Sequence, residues 1–129
     1  MTDPSEDTSH VIEDAQFRLL IDKANDGLFL IDPETGQIQG ANQTVCDWLG
    51  YTKDEVLDMT IFDCQTTFSE PEAWQTFVQR VRDENGVQIK NKIQTDTGSM
   101  ISVEGSISVV SVDGSDYVVA IPRLLSDQE

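Results

Sequence analysis

The chain has 129 residues, which is room for one domain and enough to close a hydrophobic core without disulfide or metal staples. Its 24 Asp and Glu against 8 Lys and Arg give a formal charge of −16, a surface that repels phosphate backbones and anionic membrane faces and so excludes nucleic acid as a partner. Such a charge suits a salt-rich cytoplasm, where dense carboxylates hold water and ions and screening relieves their repulsion, so a halophilic source is expected.

Met1 to His10 is polar and acidic, not a signal peptide, and residues 1–12 read as a disordered leader. From Val11 the pattern turns helical: Phe17, Leu20, Ile21 and Ala24 form one apolar stripe, and Asn25-Asp26-Gly27 ends it with glycine as a left-handed cap. Leu28 to Ile31 is an apolar run bounded by Gly27 and Pro33, a buried strand, and Gln37 to Ala41 returns beside it as a hairpin.

Asn42 opens a helix whose Ala41, Val45, Trp48 and Leu49 share a face, and Gly50 stops it. Thr52 with Glu55 makes a capping box for a short helix carrying Val56, Leu57 and Met59. Ile61 and Phe62 read as one further turn. Ser69-Glu70-Pro71-Glu72 starts the longest helix, with Ser69 as its cap. It carries Trp74, Phe77, Val78 and Val81 and closes at Asn85-Gly86.

The remainder is strand-like: alternation from Val87 to Thr95, a turn at 96–99, a β-branched strand from Met100 to Val112, a turn at Asp113-Gly114, and a last strand from Tyr117 to Ile121 that Pro122 ends. Strands separated by a helical block predict an α+β domain, an antiparallel sheet with helices over one face. The domain is placed at 13–123, and 124–129 begins a linker. No run approaches the length of a membrane span, so the chain reads as cytoplasmic and makes no direct membrane insertion. Cys46 and Cys64 form no CxxC and read as free, buried thiols, with no zinc site.

Asn25-Asp26-Gly27 with Leu28 to Ile31, then Ile38 to Asn42, Trp48-Leu49-Gly50-Tyr51, Asp54-Glu55-Val56-Leu57 and the closing strands from Val87 to Ile121 together resemble a PAS domain. The resemblance runs from Gln16 to Arg123. It implies a five-stranded antiparallel sheet in the order 2-1-5-4-3, short helices over one face, and a cavity between the layers. It also implies the input domain of a signalling protein, such as a histidine kinase or a haloarchaeal transducer-like protein. Its partners would be a small-molecule ligand, an attached output domain, and a second copy through the N-terminal helix or the outer sheet face.

That family includes haem, flavin and chromophore binders, and these residues fit them unequally. Haem needs an axial ligand, but the helix from Glu70 to Glu84 has no His, and His10 lies in the leader. The light-sensing flavin subgroup needs a Cys where Ile61 stands; Cys64 comes three residues late. Trp48 or Trp74 could stack on a redox flavin, although helical spacing favours core for both. What remains is a small, flat apolar or aromatic ligand. Its expected wall is Leu30, Val45, Leu49, Met59, Phe62, Phe77, Val81, Met100, Val103 and Ile107, with Asn42 and Asn91 as polar anchors. Asn42 also fits as a helix cap, and Asn91 as a solvent-facing strand residue.

The paired carboxylates Glu70/Glu72 and Asp32/Glu34 sit where capping alone explains them, so no enzyme activity is expected. Ser102, Glu104, Ser106, Ser108 and Ser111 predict a polar outer strand face, against a large apolar interface. The exit reads Ile121-Pro122-Arg123-Leu124-Leu125, where the family commonly carries an Asp-Ile-Thr-like link to the output helix.

Overall fold

The computed structural model describes residues 25–65 and 70–125. The expected N-terminal helix, the leader and the Ser69 cap lie outside the described residues. Five strands form one antiparallel sheet in the order β2-β1-β5-β4-β3: β1 (Phe29–Ile31), β2 (Ile38–Ala41), β3 (Val87–Gln94), β4 (Met100–Val112) and β5 (Ser115–Leu124). Between β2 and β3 the chain makes α1 (Gln43–Leu49), α2 (Lys53–Leu57), α3 (Ile61–Cys64) and α4 (Pro71–Glu84). This is the α+β architecture read from the sequence, in the strand order that the family resemblance implies.

Local chemistry sets most element ends. Thr52 and Glu55 form the expected capping box on α2, and Thr60 with Asp63 forms a second one on α3. Gly50 takes φ 86° at the end of α1, a left-handed conformation that costs glycine nothing. At Asp113 and Gly114 both φ values are positive, 52° and 83°, which is the two-residue hairpin turn whose twist matches its strands. The described N-cap of α4 is Glu70, which makes no side-chain capping bond, and Pro71 follows it in the first turn.

Two features depart from the sequence reading. Gly27 is not among the positive-φ glycines. A methyl group there would lie 3.0 Å from Val45 Cβ and 3.1 Å from the Trp48 ring, so the glycine is needed for close packing of the chain against α1. The last strand also does not stop at Pro122: β5 runs through it to Leu124, pairing with β4 as far as Val103.

The Pro122 carbonyl accepts the Gly27 N–H at 2.8 Å on the β1 side of β5, and β1 pairs β5 only between Val118 and Ala120. The missing proline N–H therefore points where the ladder has already ended, and no pairing with β4 is lost. Opposite Pro122 stands Gly105, whose added methyl would lie 2.7 Å from Pro122 Cα. Glycine is what lets the two backbones approach at that pair.

Residues of alternate parity face the helices. Val87, Ile89, Asn91 and Ile93 pair with Ile107, Gly105, Val103 and Ile101, and of these Ile107, Gly105 and Val103 pair in turn with Ala120, Pro122 and Leu124 of β5. With Phe29, Ile31 and Ile38 they close on Val45, Leu49, Val56, Val78 and Val81 as the central core. The other parity forms the outer sheet face, where Ser102, Glu104, Ser106 and Ser108 lie as expected. Ser111 belongs to the opposite parity, and its hydroxyl bonds Asp116, which also pairs with Arg82 of α4 at 2.8 Å.

Candidate functional site

Alternation along the strands brings one set of inner side chains to a common hollow. Phe29 and Ile31 reach it from β1, Ile89, Asn91 and Ile93 from β3, Val103, Gly105 and Ile107 from β4, and Val118, Ala120 and Pro122 from β5. Ile61 and Cys64, one turn apart on α3, close it from above together with Gln65. Trp74 and Phe77 of α4, three residues apart and so on one helix face, complete the roof. The cavity measures about 80 Å³ and its wall is almost wholly apolar.

The roof is tied to the hairpin below it. Trp74 Nε1 donates to the Asp32 carbonyl at 3.3 Å, and its ring stands 6.1 Å from that of Phe77 at a tilt of 33°. The start of α3 is held by Ile61 N donating to the Gly36 carbonyl at 2.9 Å, and by Gln37 Nε2 donating to the Leu57 and Met59 carbonyls at 2.8 and 3.0 Å. Gln65 leaves α3 and makes an isolated antiparallel bridge to Ile93.

Three of the expected wall residues meet in this cavity: Phe77, Val103 and Ile107. The rest stand elsewhere. Leu30 is buried, but it alternates away from Phe29 and Ile31 and opposes Gly40 on the outer face. Met100 is 40% exposed, because an odd step along β4 separates it from Val103 and Ile107 and turns it to the other face. Val45, Leu49 and Val81 fill the solid core between α1, α4 and the sheet. Met59 and Phe62 pack on its margin, Phe62 against Gly36.

Asn42 is 2% exposed and serves structure: its Oδ1 accepts from Val45 N and Leu28 N at 3.1 Å each, and its Nδ2 donates to the Asp26 carbonyl at 3.0 Å. Asn91, by contrast, faces the cavity. Its Oδ1 accepts the Lys92 N–H at 2.8 Å. Ile89, Ile93, Val118 and Ala120 escaped the expected wall, although their parity with Val103 and Ile107 was a usable signal. Gln65, in an irregular exit from α3, offered none.

Among the described residues of the wall, the titrating side chain is Cys64. Burial above all, and then the neighbouring Asp63 carboxylate, push its thiol from 9.0 up to about 12. A thiol whose folded value exceeds its unfolded one stays neutral throughout the physiological range, and the associated stability is lost only as pH climbs from about 9 towards 12. Since the thiolate is the reactive form, labelling of folded Cys64 by a disulfide reagent at pH 8 is expected to run about a thousandfold slower than in denaturant. Comparable rates in the two states would refute a buried, neutral thiol. Cys46 is also buried and forms no disulfide.

About 80 Å³ is far below the several hundred Å³ that drug-sized ligands occupy, so neither an isoalloxazine nor a haem fits the cavity as formed. Trp48 packs near Gly27, away from it. Among the described residues no cluster of three His, Cys, Asp or Glu side chains is placed to hold a metal, and no helix is long and apolar enough to cross a membrane.

A family model described as "PAS domain" matches residues 25–122. The chain is similar to the methyl sulfide methyltransferase-associated sensor of Methanosarcina acetivorans, 24% identical over 117 residues that make up 88% of this chain and 11% of that protein. It therefore spans about a ninth of that relative's length. Among solved structures it is similar to the PAS domain of an HTR-like protein from Haloarcula marismortui, with 26% identity, a TM-score of 0.78, and 86% and 90% of the two chains covered. A domain of the sensory box sensor histidine kinase/response regulator from Geobacter sulfurreducens is 25% identical with a TM-score of 0.68, covering 87% of this chain and 98% of that one.

Proposed function

The chain belongs to the PAS domain family, and from that premise we propose that it is the input domain of a larger signalling protein, binding a small apolar or aromatic molecule in its cavity. The observation behind this reading is the hollow itself. Protein interiors are packed close to the density of organic crystals, and a gap walled by rings and branched chains between the sheet and the helices is a departure from that. Phe77, Val103 and Ile107 would hold the ligand body.

Coupling has a physical route. Pro122 lines the cavity, and its carbonyl bonds Gly27 where the chain enters the sheet, so one residue links the cavity, the entry and the exit. A ligand that displaces Pro122 would move both ends together and bias whatever is attached to them. Any catalysis would reside in another domain of the full protein.

Toluene serves as a probe of the cavity. At a hundredfold excess over its dissociation constant it should stabilise the fold by about 2.7 kcal/mol. That corresponds to a rise in Tm of at least about 5 °C for a domain of this size. No shift with toluene, together with an empty protein in native mass spectrometry, would sink the reading. A ligand-free association module would then be favoured: Val110 and Ile121, each 39% exposed, share the outer sheet face with Tyr117 and Val119.

A further inference from the structure

Resting on that reading of the cavity, we infer that its occupant is an apolar solute of dissolved-gas size, a molecule of roughly three or four heavy atoms that carries no hydrogen-bonding group and no charge. Polar side chains border the hollow, but the protein itself uses each of them. Trp74 Nε1 donates to the Asp32 carbonyl at 3.3 Å. Cys64 Sγ lies 3.9 Å from the carbonyls of Thr60 and Ile61, in its own turn of helix. Asn91 Oδ1 accepts the Lys92 N–H at 2.8 Å, and Asn91 and Gln65 each hold a further interaction with the rest of the protein. The surface left facing the hollow is that of rings, methyls and methylenes.

Such a wall sorts solutes by what they lose on leaving water. A water molecule in a buried site needs about two to four polar partners, which this wall does not supply, so water competes poorly for the space. A hydroxyl, carbonyl or amide on a ligand would give up its water contacts without replacement, which weakens binding by about tenfold or more. No Lys, Arg or His lines the hollow to pair with an anion. An apolar solute has no such loss, and it supplies the contacts that the gap denies to Phe77, Val103 and Ile107.

Volume sets the size. An apolar cavity of roughly 150 Å³ accepts benzene or xenon. At about 80 Å³ this one holds, in the same proportion, roughly three or four carbon-sized atoms. A single ring enters only as Trp74, Phe77 or their neighbours give way, and the packing it disturbs weakens its hold.

The test is methyl chemical-shift perturbation on the 129-residue chain, with xenon, butane, propanol and toluene as probes; butane and propanol have equal numbers of heavy atoms. Xenon and butane should shift the methyl signals of Ile61, Val103, Ile107 and Val118 in the wall and leave those of Val110 and Val119 on the outer face in place. Propanol should bind at least about tenfold more weakly than butane. Propanol equal to or tighter than butane overturns the inference on polarity. Toluene bound while xenon and butane leave every methyl unmoved overturns it on size. Either result leaves the cavity reading standing. Shifts by none of the four, or shifts confined to the outer face, overturn both. Every comparison uses the unaltered chain, so none depends on a variant that folds.

Discussion

Replacing Asn42 with Ala is expected to destabilise the domain by about 3–5 kcal/mol and to lower Tm by roughly 10 °C or more. The size follows from three bonds made by one buried side chain. Loss of the cap on α1 contributes about 1 kcal/mol. The substitution also strands the Leu28 N–H and the Asp26 carbonyl at the entry to β1, and a buried group left without its partner costs about 1–3 kcal/mol. Asn42→Asp keeps both acceptor bonds but replaces the donation to Asp26 with a buried carboxylate oxygen set against that carbonyl, so it should also destabilise the domain. Urea unfolding measures the series. A loss below about 1 kcal/mol for Asn42→Ala would mean that water replaces the two tertiary bonds and that Asn42 is only a local cap.

Filling the cavity should separate ligand binding from folding. Ala120 is 7% exposed on the inner face of β5, between Phe29 and Ile107, with the hollow in front of it. Ala120→Leu adds three carbons into that space. Small-molecule binding is expected to weaken by about 100-fold or more, because the ligand and the new side chain compete for one volume. Stability should hold or rise by about 0.5–2 kcal/mol, the usual gain when an existing gap is filled. Calorimetric titration with toluene beside thermal unfolding gives both readings. Unchanged toluene affinity in a folded Ala120→Leu protein would place the binding site outside this cavity. A loss of about 1–3 kcal/mol would instead show that the hollow is too narrow to accept a side chain from that strand.

Much of the fold was legible in short stretches of chain. The capping box at Thr52 and Glu55, the stop at Gly50, the turn at Asp113-Gly114 and the face of Trp74, Phe77, Val78 and Val81 depend on neighbours within a few residues, and all stand as read. The site was less legible. The expected wall mixed Met100 with Val103 and Ile107, and Leu30 with residues of the opposite face, although a period of two cannot put them together. Alternation says which residues share a face. It does not by itself say which face meets the helices, nor which inner residues border a gap and which pack solid.

Sequence alone determined the order and type of the described elements, their caps and turns, the acidic surface and the family resemblance, because each is a property of composition or of residues close in the chain. Only the tertiary structure decided where the hollow lies, that Asn42 ties the entry of β1 to α1, that Asn91 turns inward, and that Pro122 sits within a strand. Each of these depends on how two surfaces distant in sequence meet: a cavity is a mismatch between layers, and a proline is tolerated in β5 because β1, some ninety residues earlier, has already stopped pairing with it.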